Sequence, residues 1–493
     1  MRASFLILAL LLPIALAQTI APPTTPNVAG PDSGVVQLTA AEDHQRMLDL
    51  LHITALRPGV SQNGQGAHPV NWDEFKANPW PNLPDPLVMN DGKPVKTAKV
   101  WLTERRPQLV ELFDREILGR VPANVPAIHW EVVSTTPGTD NGIATITKHL
   151  VGHVDNSAYP AITVNIEADL VLPAGAHGPV PVVVELSGAY PPAPPRPPRP
   201  AATATPTPAP AATPRPPALD PGPPIKQQVV AKGWGYALLY HNTYQADNGA
   251  GLTQGIIGLS NHGQPRKLED WGVLRAWAWG ASRLMDYLVT DPTVDAHHVA
   301  IEGHSRRGKA ALVAMAYEPR FVVAYISSSG AGGADLARRR FGEQLENIAG
   351  TGEYHWMGGN FLKYAELSPK EATPADMPVD MHELIALCAP RPVLIDGGTL
   401  EGGDGWADTR GTFIAEVAAG PVYRLLGKKS LSDDSGPTDA FPPVGTALLA
   451  GDLAFVQHPG GHNPQPSFAT FLEFATRYMT PAASAKTPPG KVY

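Results

Sequence analysis

The chain has 493 residues, 43% of them apolar and 17% charged, which is enough for one large α/β domain or two to three smaller ones around a buried core. The formal charge of -8 comes without a lysine- or arginine-rich stripe to neutralise a row of phosphates, which argues against a nucleic-acid partner. The single cysteine, Cys388 in the apolar stretch Leu384-Ile-Ala-Leu-Cys-Ala389, excludes an internal disulfide framework and reads as a small buried residue.

Met1-Arg2, the apolar run Phe5 to Leu16 and the small residues Ala15-Leu-Ala17 form the charged start, short hydrophobic centre and cleavage site of a secretory signal over residues 1–17. The run is shorter than a membrane span, and no later stretch reaches the roughly 20 apolar residues needed. The expectation is therefore a secreted or periplasmic protein with no membrane anchor. Residues 18–38, rich in Pro, Thr and Gly, read as a disordered leader. Residues 39–482 read as a single domain, and 483–493 as a tail.

Within the domain, Asp43 to Ile53 carries apolar residues at helical spacing, Asn90-Asp-Gly92 is a turn, and Ala98 to Leu118 reads as a helix stopped by Gly119. Thr163 to Leu172 and Val180 to Leu186 have the β-branched, alternating or continuous apolar character of strands. Between Tyr190 and Pro224, 16 of 35 residues are proline, which can build neither a ladder nor a core. That segment is predicted to be a disordered insertion at 190–224, leaving the domain directly after a strand end.

From Gln227 the elements alternate. A helix to Lys232, strand Gly235 to Tyr240, helix Asp270 to Val289, strand Val299 to Ile301 and helix Arg306 to Tyr317 come first. Strands Phe321 to Ile326, Pro392 to Ile395 and Leu453 to Gln457 follow, closed by helix Gln465 to Tyr478. Strands separated by helices predict an α/β fold, a three-layer αβα sandwich around a mostly parallel sheet covered on both faces.

Ser305 stands between the strand Val299 to Ile301 and the helix Arg306 to Tyr317, in Gly303-His-Ser-Arg-Arg-Gly-Lys309. A serine on a sharp strand-to-helix turn exposes its hydroxyl beside the next backbone N–H and a helix N-terminus. In the α/β-hydrolase fold a serine, a carboxylate and a histidine follow in that chain order, each on a loop after a strand. Here Asp404 follows the strand ending at Ile395, and His462, in His458-Pro-Gly-Gly-His462, follows the strand ending at Gln457. Serine attacks only when an imidazole takes its proton, and the imidazole needs a carboxylate to fix its tautomer and balance its charge. His458 competes with His462, and Asp408 and Glu401 compete with Asp404. The two glycines before His462, which let its loop turn back, favour that histidine.

With this order and its elbow string, the chain resembles the glucuronoyl esterases of carbohydrate esterase family 15, whose elbow reads G-x-S-R-x-G-K. Asp270-Trp-Gly-Val-Leu-Arg-Ala-Trp277, Ser329-Gly-Ala-Gly-Gly333, Arg339-Arg-Phe-Gly-Glu343, Ala389-Pro-Arg-Pro392 and Asp404-Gly-Trp-Ala-Asp408 resemble bacterial members over most of residues 80–480. The resemblance implies hydrolysis of the ester joining 4-O-methylglucuronic acid groups of glucuronoxylan to lignin alcohols. It also implies an oxyanion role for Arg306, and sugar-binding roles for Lys309, Glu343 and Trp406.

One departure stands out. Many members place the catalytic acid as the Glu of an N-E-S-G string, where this chain has Ser327-Ser-Ser-Gly330. Ser328 has no carboxylate, so the role is expected to rest on Asp404 alone. No H-E-x-x-H string, paired C-x-x-C or strand-borne G-x-G-x-x-G occurs, so neither metal nor cofactor is implied. An acetyl xylan or feruloyl esterase would share the triad. A non-catalytic carbohydrate-binding protein on a hydrolase scaffold would explain the missing Glu.

Overall fold

The computed structural model describes residues 34–62, 67–188, 222–367, 373–431 and 441–480. The expected signal, most of the leader, nearly all of the proline-rich insertion and the tail lie outside the described residues. Among the described residues, no helix is long and apolar enough to cross a membrane.

The strands are β1 (Ile128–Asp140), β2 (Ile143–Val154), β3 (Asn165–Pro173), β4 (Val180–Ser187), β5 (Gly235–Tyr240), β6 (Val294–His304), β7 (Val323–Ser327), β8 (Val393–Gly397), β9 (Ala447–Leu448) and β10 (Leu453–Gln457). They form one sheet in the order β1-β2-β3-β5-β4-β6-β7-β8-β10-β9. The run from β5 through β4, β6, β7 and β8 to β10 is parallel, whereas β1, β2, β3 and β9 join antiparallel. Crossovers include α1 (Val273–Leu288), α2 (Arg306–Tyr317), α3 (Met381–Cys388) and α4 (Thr409–Leu425), and α5 (Gln465–Met479) closes the described chain.

Side-chain alternation sends each parallel strand into two cores. In β10, Leu453 and Phe455 join the cluster containing Trp277 and Leu312, while Ala454 and Val456 join the cluster under Phe468 and Phe471 of α5. In β6, Val299 and Ile301 face the first core and Ala300 the second. This two-sided burial is why these strands read as short continuous apolar runs. The lone Cys388 is fully buried, as expected.

Among the elements that went unread in the sequence, the β1–β2 hairpin and helix α4 are the longest. The β1–β2 hairpin is long but polar, with Glu131 to Thr139 exposed, so no apolar face marked it. Its signal was the two-residue turn Asn141-Gly142, where both residues have φ > 0 (45° and 82°), the conformation a tight hairpin prefers. Helix α4 carries Pro421 in its interior and Gly411 and Gly420 along its length, which masked its period.

Because β6, β7, β8 and β10 are parallel, their carboxyl ends open on one edge of the sheet. The loops after them carry Ser305, Ser328, Asp404 and His462, residues up to 157 positions apart in sequence.

Candidate active site

Ser305 follows the last residue of β6 and caps α2 with φ 60° and ψ -134°, a conformation that costs a non-glycine residue about 1–3 kcal/mol. The turn closes because its N–H donates to Ser327 O of β7 (2.9 Å). A Cβ at Gly303 would lie 2.3 Å from Arg307 O, and one at Gly308 would lie 2.9 Å from Gly303 O. The glycines flanking the serine are therefore where strand and helix backbones touch, which explains a spacing one residue longer than G-x-S-x-G.

His462 Nδ1 lies 2.7 Å from Asp404 Oδ1. Asp404 is buried, and its Oδ2 accepts from Ser328 Oγ (2.6 Å) and from Gly398 N–H (2.7 Å). Burial opposes ionisation, but the donors from His462, Ser328 and Gly398 prevail and hold this carboxyl below the usual carboxylate range. Ser328, which has no carboxylate of its own, is thus a hydrogen-bond donor to the acid after β8.

The competing residues have other partners. Asp408 is bound by the Arg339 guanidinium (Nε to Oδ2, 2.6 Å) and caps α4 through Gly411 N–H. Glu401 is exposed in the loop before Asp404. His458 is buried, takes the Gly460 N–H on Nδ1, and has its Nε2 3.7 Å from Asp396 of β8. His304 packs its ring 4.3 Å from that of His462, and burial together with the neighbouring imidazole pushes it down to about 3, so it is neutral.

Ser305 and His462 line a cavity of about 230 Å³ together with Arg306, Lys309, Glu343 and Trp406. Lys309 Nζ donates to Glu343 Oε2 (2.7 Å) and to Ala331 O, and Trp406 Nε1 donates to Glu343 Oε1 (3.1 Å). The Lys309–Glu343 pair is almost fully buried, at 3% and 6% side-chain exposure. Every one of the seven residues singled out in the sequence lies in this cavity or bonds to one that does.

The sequence reading missed three. Asp247, in the segment after β5, accepts from Arg306 Nη1 (2.8 Å), His355 Nε2 (3.0 Å) and Trp356 Nε1 (2.7 Å). Burial works against its charge, yet these donors keep it well below the carboxylate range. It thereby tethers a half-exposed Arg306, whose guanidinium also lies 5.2 Å from the Trp356 ring centre. Glu353 and Trp356, in the loop between β7 and β8, complete the cavity. Burial and the nearby Glu343 carboxylate push Glu353 up to about 7, and its Oε2 has no hydrogen-bond partner among the described residues. None of the three belongs to a motif, so only their contacts identify them.

A histidine oriented by a buried carboxylate beside an elbow serine has the parts for proton transfer from an attacking hydroxyl. The N–H of residue 306 and the tethered guanidinium offer donors to a developing oxyanion. Arg306→Ala is expected to lower kcat/KM for ester hydrolysis by about 10²–10³-fold, measured by steady-state kinetics. With its carboxyl raised to about 7, Glu353 changes charge near neutral pH. Its ionised form is the stronger acceptor of substrate hydroxyls, so KM for a hydroxylated substrate is expected to fall as pH rises through about 7, and Glu353→Gln should remove that dependence.

A family model described as "Glucuronyl esterase, fungi" matches residues 266–427. Carbohydrate esterase MZ0003, from an unknown prokaryotic organism, is 33% identical over 430 residues, covering 84% of this chain and 93% of its own. The 4-O-methyl-glucuronoyl methylesterase of Schizophyllum commune is 26% identical over 357 residues, covering 70% of this chain and 74% of its own. Among solved structures, a CE15 glucuronoyl esterase from Teredinibacter turnerae superposes with a TM-score of 0.77 at 42% identity, over 89% of this chain and 99% of that one. A glucuronoyl esterase from Solibacter usitatus gives 0.66 at 30% identity, over 83% and 100%.

Proposed function

The chain belongs to carbohydrate esterase family 15, the glucuronoyl esterases, and from that premise we propose that it cleaves 4-O-methylglucuronate esters of glucuronoxylan and lignin alcohols by a serine acyl-enzyme route. It is a carboxylic ester hydrolase on an α/β-hydrolase scaffold. Ser305 attacks the ester carbonyl, His462 takes its proton and returns it to the departing alcohol, and Asp404 holds the imidazole. Water then releases the uronic acid by the reverse proton path. Arg306 and the N–H of residue 306 receive the oxyanion.

The observation that carries this reading is the bonded set Lys309, Glu343 and Trp406 in the cavity that Ser305 and His462 line. An acetyl group has no hydroxyls for it to meet, whereas a pyranuronate presents several. Glu353 Oε2, in the same cavity and without a partner among the described residues, can meet a sugar hydroxyl but nothing on an acetyl group, and a buried polar group left unpaired penalises the wrong substrate heavily.

Comparing benzyl glucuronate with benzyl acetate holds the alcohol constant and tests the acyl half. The expected kcat/KM ratio is about 10³ or more in favour of the glucuronate. Equal rates would transfer the chain to the general carbohydrate esterases. We further propose that the enzyme is exported and acts outside the cytoplasm, a reading supported by the charged start and apolar run of residues 1–17.

A further inference from the structure

Arg306 stands in the first turn of α2, next to the nucleophile, yet its side chain is 47% exposed. Among the described residues its guanidinium makes one hydrogen bond, from Nη1 to Asp247 Oδ2 (2.8 Å). A half-exposed arginine left to itself samples many rotamers, whereas a donor to a developing oxyanion is effective only when it is already in place. The order that this donor needs comes from Asp247.

The carboxylate is built to supply it. Asp247 Oδ1 accepts from His355 Nε2 (3.0 Å) and Trp356 Nε1 (2.7 Å). Burial lowers the His355 pKa and leaves its imidazole neutral, and its Nδ1 has no partner among the described residues, so its single proton sits on Nε2, facing Asp247. Two neutral donors thus fix one oxygen and leave the other for one cation. The segment that carries Asp247 is fixed as well: Gln245 Nε2 donates to Gly251 O (3.0 Å), Gly251 N–H to Asn248 Oδ1 (2.8 Å) and Trp277 Nε1 to Gln245 O (2.9 Å). Charge alone argues against an acid in this place, because an anion beside the oxyanion donor opposes the negative charge that forms on the ester oxygen. Asp247 therefore helps the reaction only if the order it imposes on Arg306 outweighs that repulsion.

We infer that Asp247 is a positioning residue for ester cleavage: it holds the Arg306 guanidinium where the oxyanion forms and acts on the rate through Arg306 alone. The inference rests on the serine acyl-enzyme route proposed above. It does not depend on which acyl group is cleaved, since an oxyanion forms on any ester that the serine attacks.

The test measures kcat and KM on methyl glucuronate and on p-nitrophenyl acetate for wild type, Asp247→Asn, Arg306→Ala and the double variant, with rates normalised to the folded fraction read from the thermal melt. Asparagine keeps the volume and an amide oxygen for the His355 and Trp356 donors, but it has no charge to hold the guanidinium. In Asp247→Asn, kcat is expected to fall about 10–10²-fold on both esters, with KM for methyl glucuronate within about twofold. The double variant is expected to match Arg306→Ala within about threefold, because no guanidinium is left to hold. Unchanged or faster turnover in Asp247→Asn overturns the inference, since it would leave only the repulsion. So does a double variant slowed by the product of the two single losses, which would make the two effects independent. A raised KM with kcat retained overturns it as well and assigns Asp247 to the cavity wall. Ser305→Ala as fast as wild type on both esters would sink the serine route itself, and this inference with it.

Discussion

Replacing Ser305 with alanine is expected to lower kcat on methyl glucuronate by about 10⁶-fold while leaving KM within about twofold. The substitution removes the oxygen proposed to attack and leaves the rest of the cavity in place, since Lys309, Glu343 and Trp406 bond to one another without involving it. The backbone at this position stays at φ 60° whichever of the two residues occupies it, because the turn is imposed by the contact of Gly303 with Arg307 O and by the Ser305 N–H bond to β7. The melting temperature should therefore barely move. Labelling with a fluorophosphonate provides a second readout: wild type reacts at residue 305 and the variant does not. A variant retaining more than about one hundredth of wild-type kcat would show that another nucleophile operates.

Asp404→Asn is the second large effect, an expected fall in kcat of about 10⁴-fold. The amide keeps the volume and can still accept from Ser328 Oγ or Gly398 N–H, but it cannot balance an imidazolium at His462 and does not enforce the right tautomer. The pH dependence of stability has a defined sign as well. The folded-state pKa of Asp404 is lowered, so its charged form stabilises the protein above the ordinary carboxylate value, and that contribution is lost as pH falls through the lowered one. In the Asn variant this part of the acid dependence of Tm should be missing. Near wild-type kcat in Asp404→Asn would remove this residue from the mechanism. Adding Ser328→Glu to the same variant is expected to restore part of the lost rate, since Ser328 Oγ already touches the carboxylate it would replace. A double variant no faster than Asp404→Asn would limit the acid to position 404.

Much of the candidate site was legible because its parts are local. The elbow serine, its glycines, Arg306 and Lys309 occupy seven consecutive positions, and their geometry follows from a strand meeting a helix with no room for a Cβ at Gly303 or Gly308. The parallel strands were legible for a similar reason, since burial on both faces leaves a short apolar run that few other contexts produce. What went unread was held by partners distant in sequence. Asp247 matters because three donors from residues 306, 355 and 356 converge on it, and Glu353 because burial next to Glu343 changes its acidity. The β1–β2 hairpin escaped because its exposed face carries no hydrophobic period.

The family resemblance supplied the expected oxyanion and sugar roles of Arg306, Lys309, Glu343 and Trp406, whereas the sequence by itself determined the layered α/β architecture and the order of serine, carboxylate and histidine along the chain. These follow from short-range sterics and apolar periodicity, which any segment carries within itself. Only the tertiary structure decided among neighbours of equal chemistry. Asp408 is taken by Arg339, His458 faces Asp396, and Asp404 alone of the candidate acids meets His462, with Ser328 donating to it. The physical reason is that a hydrogen bond is decided within a few tenths of an ångström, and that precision is set by how four packed parallel strands bring their loop ends together.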